Sequence, residues 1–293
     1  MSKKRLSFLQ FASPWIFDPG TVRLPSPPQG LNSEEASRRL KEGQLAQPYI
    51  LETASERRLH FTHCSIQSVM NLDAPDALIS AYTRKMMAFL LFNPQPKSIV
   101  MVGLGGGSLA KFCYRNLRKT QITVVEIDAR VVALRDEFSI PMDDDRFRIV
   151  CDDGAHYISQ LADQIDVILV DAFDPIGLAP TLASSDFYVQ AAQRLSPRGV
   201  LVMNFSGDTN RYATHMREIR TVFGRSTRLV PVATDDNLLL FAFGRHVPQL
   251  TTARYESRAQ RLQTRLELEF PRYLRRICQG YALTQTHATV NDG

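Results

Sequence analysis

The 293-residue chain is 44% hydrophobic and 22% charged, a balance that excludes a disordered or fibrous protein and suits one main domain with a small satellite. Its 35 Lys and Arg against 30 Asp and Glu leave a net charge of +5, a mild bias toward anionic ligands that does not call for nucleic acid. Cys64, Cys113, Cys151 and Cys278 are widely spaced with no CxxC pair, which argues against a zinc site or a disulfide framework and is expected of reduced thiols in the cytoplasm.

The start, "MSKKRLSFLQFASPWIF", has a basic head, but Gln10, Ser13 and Pro14 interrupt its apolar part, so no signal peptide is expected. No window holds the roughly 18 apolar residues of a membrane span. Residues 17–30 crowd prolines and glycines together, and residues 1–44 are read as a partly disordered leader. Within it, "NSEEASRRL" predicts a short surface helix capped at Asn32 or Ser33.

Residues 45–72 carry short β-rich pieces with polar breaks and are expected to form a small N-terminal β domain. Residues 73–250 are expected to form the catalytic domain. Leu78, Ile79, Tyr82, Met86, Ala88, Phe89 and Leu90 recur at helical spacing until Pro94 and Pro96 close the segment. Then strands and helices alternate: "SIVMVGL", a helix from Ser108, "ITVVEID", a helix from Ala129, "FRIVCDD", a helix from Ala155, "IDVILVDAF", a helix from Ser185, and "GVLVMNF". This rhythm predicts an α/β fold, a mostly parallel doubly wound sheet. "TRLVPVATDDNLLLFAFG" reads as two strands joined by a polar turn over residues 234–237, an antiparallel pair at the sheet edge. Residues 251–293 hold a C-terminal helix and tail. Leu262, Leu266, Phe270, Leu274 and Ile277 share one face, and Pro271 is expected to break or kink it. The arginines along this helix invite a nucleic-acid reading, but docking of the apolar face on the sheet explains the same spacing, so no nucleic-acid partner is expected.

The chemistry gathers at strand ends. In doubly wound sheets ligands bind beyond the carboxyl ends of the strands, where a tight turn and free helix N–H groups meet the ligand. Gly103, Gly105, Gly106 and Gly107 occupy that turn after the first strand of the alternating segment. Glu126 ends the second, where a carboxylate accepts hydrogen bonds from ribose hydroxyls, and Asp152 and Asp153 end the third, near an adenine amino group. A dinucleotide fingerprint needs a glycine where Ser108 stands, so a nicotinamide dinucleotide fits poorly. After the fourth strand, Asp171 and Asp174 stand at the mouth of the same cleft, and one carboxylate can take a proton from an amine nucleophile while the other anchors a charged end. His60 and His63 lack a matching ligand cluster, so no metal is expected; His156 is placed in the loop behind the nucleoside, and Ser184 and Ser185 read as helix caps.

Taken in order, "VGLGGGSLAKF", "VVEID", "DDGAHYI" and "VDAFDPIGLAP…SSDFY" resemble the spermidine synthase family, the polyamine aminopropyltransferases, from about Leu59 to Gly244. The resemblance implies an S-adenosylmethionine-dependent methyltransferase-like fold preceded by a small β domain. It also implies aminopropyl transfer from decarboxylated S-adenosylmethionine to putrescine or a related small amine by a cytoplasmic homodimer. By motif, it assigns catalysis to Asp171, amine contacts to Asp174 and Tyr82, the ribose to Glu126, the adenine to Asp153 with Gly154 beside it, and the nucleoside's surroundings to Gln67, Gly103, Gly105 and Gly106. Three departures stand out. The family's loop has an aspartate at the place of Gly106, its Tyr-His-Glu triplet is here Tyr82, Thr83 and Arg84, and its acidic pair upstream is reduced to Asp76. The alternatives are a methyltransferase or aminocarboxypropyltransferase using intact S-adenosylmethionine, or a non-catalytic nucleoside-binding protein.

Overall fold

A computed structural model of the chain describes residues 6–45, 47–63, 65–174, 177–206, 212–232, 237–249 and 253–280. The N-terminal part is an antiparallel sheet of β1 (Phe8–Ala12), β2 (Thr21–Pro25), β3 (Tyr49–Glu52), β4 (Glu56–Thr62) and β5 (Ser65–Asn71), in that spatial order, with α1 (Ser33–Lys41) inserted after β2. The expectation of a partly disordered leader is thereby corrected: residues 8–12 and 21–25 pair along the sheet with ordinary register. Proline and glycine density misled because all of those residues except Pro25, the last residue of β2, sit in the connections. Between them Val22 and Leu24 alternate into a core shared with Trp15, Ala36, Leu40, Tyr49 and Leu51. The helix is where it was expected, with the Asn32 side chain accepting the Glu35 N–H at 2.9 Å.

After α2 (Ala81–Met86) and a 3-10 turn (Met87–Leu91), the chain winds through β6 (Ser98–Val102), α3 (Ser108–Asn116), β7 (Gln121–Glu126), α4 (Ala129–Ala133), β8 (Phe147–Cys151), α5 (Gly154–Gln160) and β9 (Ile165–Val170). A two-strand flap, β10 (Phe173–Asp174) and β11 (Gly177–Leu178), leads to α6 (Ser185–Arg194), β12 (Leu195–Ser206), α7 (Ala213–Phe223), β13 (Thr227–Val232) and β14 (Asn237–Phe243). The seven strands of the main sheet lie in the order β13-β14-β12-β9-β6-β7-β8. Strands β6, β7, β8, β9 and β12 run parallel, and β14 and β13 add antiparallel at one edge. This is the expected α/β fold with its antiparallel pair; the turn at 233–236 lies outside the described residues.

The central strands β6, β9 and β12 are buried on both faces, so their apolar residues run without a break and parity decides which layer they feed. Val167, Leu169, Val200, Val202, Leu239 and Phe241 face one core, and Ile168, Val170, Leu201, Met203, Leu240 and Ala242 face the other. The 3-10 turn Met87–Leu91 is buried throughout, which is why its sequence reads as a solid apolar run. The C-terminal segment is two helices, α8 (Ala253–Leu266) and α9 (Phe270–Gln279), with Pro271 in the first turn of α9, where a missing N–H costs nothing. Leu262, Leu266, Phe270, Leu274 and Ile277 are all buried in the first core, as docking requires.

Candidate active site

The loop after β6 is shaped by contacts that leave no room for side chains. Gly103 has φ +94, and a Cβ there would meet the Asp171 carbonyl oxygen at 2.2 Å. Its N–H donates to Val125 O at 2.9 Å, and Asp171 N–H donates to Val102 O at 2.9 Å, so the ends of β6, β7 and β9 are tied together. Glu126 completes the loop. The Leu104 N–H donates to its Oε2 at 2.9 Å and the Asp128 N–H to its Oε1 at 2.9 Å. Burial pushes the Glu126 carboxyl above its ordinary pKa, opposed by those same N–H groups, which favour the charged form. The Gly105 N–H also bonds to this carboxylate, so three main-chain donors hold it and part of its acceptor capacity remains.

The N-terminal sheet reaches the loop from the other side, since Gly105 lies beside Ser68 Cβ and Gln67 O, at 3.7 and 3.8 Å from an added Cβ. At Gly106, where the family aspartate was missed, a Cβ would meet Ser68 Oγ at 2.7 Å and Phe138 Cδ1 at 2.9 Å. The place of that side chain is filled by two neighbours. Ser68 Oγ stands 3.3 Å from Ser108 Oγ, a hydroxyl pair at the start of α3.

Asp153 is the N-cap of α5. Its Oδ1 accepts from the N–H groups of Ala155 and His156 at 2.8 and 2.9 Å, and its Oδ2 accepts the Thr181 hydroxyl at 2.8 Å, which ties the loop after β11 to this corner. Gly154 packs flat on β6, where a Cβ would meet Val102 Cγ1 at 2.2 Å. His156 belongs to α5, not to a loop as expected. Its ring Nδ1 lies 3.0 Å from Asp152 Oδ2, and that contact is the leading cause that lowers the Asp152 pKa. The expected cap at Ser184 is present, accepting the Phe187 N–H. A residue that the sequence reading passed over stands between the two acidic clusters: Ile127 is 69% exposed, an apolar surface held open beside Glu126. Its only sequence signal is an isoleucine between two carboxylates in a strand-end loop.

Asp171 lies at the end of β9. The Tyr82 hydroxyl donates to its Oδ2 at 3.1 Å and Asn204 Nδ2 donates to its Oδ1 at 3.0 Å. Loss of water around the carboxyl pushes its pKa up, and the two donors pull it back. Behind it, Asn237 Nδ2 donates to Asn204 Oδ1 at 2.8 Å. Asn204 and Asn237 were not singled out from the sequence. The backbone of Asp174 is in β10, and its side chain lies outside the described residues.

The departures at Arg84, Thr83 and Asp76 have a simple geometry. Residues two apart on a helix point about 200° from each other, so with Tyr82 on Asp171, Arg84 faces away; its charge acts on the Tyr273 hydroxyl of α9. Thr83 donates its hydroxyl to Ser80 O at 2.7 Å, and Asp76 pairs with Arg115 at 2.5 Å. None of the three marks the cleft with a repelling charge.

The strand order β9-β6-β7-β8 therefore sets Asp171, the glycine loop, Glu126 and Asp153 side by side along one sheet margin, with Gln67 and Tyr82 brought to it by β5 and α2. A family model described as "Spermine/spermidine synthase domain" matches residues 79–233. The polyamine aminopropyltransferase of Chromobacterium violaceum is 37% identical over 257 residues, 86% of this chain and 98% of that protein. A probable spermidine synthase from Corynebacterium glutamicum has a similar fold, with a TM-score of 0.62 at 17% identity over 74% of this chain and 84% of that one. Human methyltransferase-like protein 13, solved in complex with SAH, has a TM-score of 0.56 at 24% identity over 72% and 98%.

Proposed function

This chain belongs to the spermine/spermidine synthase family of polyamine aminopropyltransferases, and from that membership we propose that it moves an aminopropyl group from decarboxylated S-adenosylmethionine to a small amine, with Asp171 as the base. The observation that carries the reading is the position of Asp171: a carboxylate held by Tyr82 and Asn204, one strand from the glycine loop.

In this reading the adenosyl part lies along the margin. The free lone pairs of Glu126 take the ribose hydroxyls, Ile127 offers an apolar face to the adenine, Asp153 with Gly154 borders its amino edge, and Gly103, Gly105, Gly106 and Gln67 surround the sulfur end. The amine acceptor arrives as an ammonium ion, attracted by Asp171 and anchored by Asp174 and the Tyr82 hydroxyl. Asp171 takes one proton, because a protonated amine has no lone pair to offer. The freed lone pair attacks the propyl carbon bonded to sulfur, the carbon–sulfur bond breaks, and its electrons neutralise the sulfonium, which leaves as methylthioadenosine. A sulfonium is already a good leaving group, so alignment of the two reactants supplies most of the rate. The five-stranded sheet is read as a unit distinct from the nucleoside-binding one, and the enzyme as a cytoplasmic homodimer.

One observation favours a second reading, transfer from intact S-adenosylmethionine. At Gly106 there is no carboxylate to grip the donor's amine, and the Ser68 and Ser108 hydroxyls beside it suit the carboxylate that the intact molecule keeps. Release of the nucleoside product on mixing the enzyme with a diamine separates the readings. Methylthioadenosine from the decarboxylated donor with appearance of the aminopropylated amine is expected; methylthioadenosine or S-adenosylhomocysteine from intact S-adenosylmethionine alone supports the second reading, and neither product from either donor rejects both.

A further inference from the structure

Along the first core face of the main sheet, side chains follow each other by twos on three neighbouring strands. On β9 they are Val167, Leu169 and Asp171; on β12, Val200, Val202 and Asn204; on β14, read in the opposite direction, Phe241, Leu239 and Asn237. The first two of each series are buried apolar core. The last residue of each series is polar. Met203 pairs with Val170, which sets Asn204 next to Asp171, while Asn204 opposes Leu239 and Ser206 opposes Asn237, which makes Asn237 the diagonal neighbour of Asn204.

Both asparagines are buried, Asn204 at 1% exposure and Asn237 at 8%. A buried amide without partners is costly, so a trio of this kind persists where its groups satisfy each other. The direction of the bonds is what matters. Asn237 Nδ2 donates to Asn204 Oδ1 at 2.8 Å, and this occupies the oxygen end of the Asn204 amide. The nitrogen end is thereby turned to Asp171 Oδ1, 3.0 Å away. Reversal of the Asn204 amide would set two oxygens against each other at Asp171 and two NH2 groups at Asn237.

We propose that Asn204 and Asn237 are positioning residues for the transfer reaction: Asn237 orients the Asn204 amide, and Asn204 holds the Asp171 carboxylate ionised and aimed at the cleft alongside Tyr82. The word "transfer" rests on the function proposed above, but the state of Asp171 is read without turnover. Among the described residues Tyr82, from α2, is the titratable side chain hydrogen-bonded to Asp171; Asn204 from β12 and the main chain of Gly103 after β6 are uncharged.

Carbon NMR of the full chain with labelled aspartate carboxyls tests the pair, the Asp171 signal being assigned by its loss in Asp171→Asn. In Asn204→Leu the Asp171 titration is expected to move up by about one pH unit, since a hydrogen bond to a charged group is of that size. Asn237→Leu should move it the same way by less. The double variant should equal Asn204→Leu alone, because Asn237 acts only through Asn204. The acid limb of kcat should follow these shifts, with KM for the donor within about twofold of the wild type. Asn204→Ala gives the same comparison if the leucine variant does not fold. An unmoved Asp171 titration in the Asn204 variants, or an Asn237 effect that adds in full to that of Asn204, overturns the proposal. A wild type that turns over no amine while the titrations shift as expected counts against the reaction and not against the pair.

Discussion

Asp171→Asn is expected to lower kcat by about 10²- to 10⁴-fold, the range of a well-placed general base, while nucleoside affinity stays near that of the wild type. The substitution keeps the shape of the side chain and keeps an oxygen for the Asn204 donor, so the polar trio survives. It also leaves untouched the main-chain contact between Asp171 and Gly103 that supports the glycine loop. What is lost is the ability to take a proton. If Asp171 only oriented the amine, an amide would do nearly as well and the loss would be tenfold or less, on the order of one neutral hydrogen bond. Single-turnover transfer, followed with calorimetric binding of the donor, separates the two. The pH dependence gives the same answer from another side. Desolvation raises the Asp171 pKa and Asn204 and Tyr82 lower it again, and activity needs the ionised form. Turnover should therefore be lost as pH falls through a value above the usual carboxylate range, and the residual activity of Asp171→Asn should lack that limb.

Glu126→Ala should cost both binding and stability. Its two oxygens hold the N–H groups of Leu104 and Asp128, and in a site this buried each orphaned N–H costs about 1–3 kcal/mol. The glycine loop would lose the clamp that fixes its path, together with the acceptors proposed for both ribose hydroxyls. Nucleoside affinity is expected to fall by about 100-fold or more, with a lower Tm. Glu126→Gln keeps one carbonyl oxygen and should fall between the two. Wild-type affinity in Glu126→Ala would remove Glu126 from the nucleoside site.

Much of this site could be read from the sequence because its chemistry lies in contiguous strand ends. Four glycines after an apolar run, a glutamate closing the next strand and an aspartate closing a later one all report the same margin, since parallel strands present their carboxyl ends together. Asn204 and Asn237 were illegible for the opposite reason. They lie 33 residues apart in sequence, and each reads as an isolated polar residue beside an apolar run. Only the registers of β9, β12 and β14 bring them to Asp171. The orientation of Arg84 was hidden in the same way, because alignment by motif assigns a position and the turn of α2 decides where the side chain goes. The leader failed by a local rule: dense prolines and glycines mark connections, and between them the alternation of Val22 and Leu24 was enough to build β2.

The proposed function requires that a single sheet margin hold an adenosyl sulfur compound. Calorimetric titration of the full chain with decarboxylated S-adenosylmethionine, S-adenosylmethionine, methylthioadenosine and NAD measures that directly. Saturable binding of at least one sulfonium nucleoside and of methylthioadenosine, lost together in Glu126→Ala and accompanied by no heat from NAD, is the expected result. Tight binding of NAD, or silence from every adenosyl sulfur compound, would contradict it.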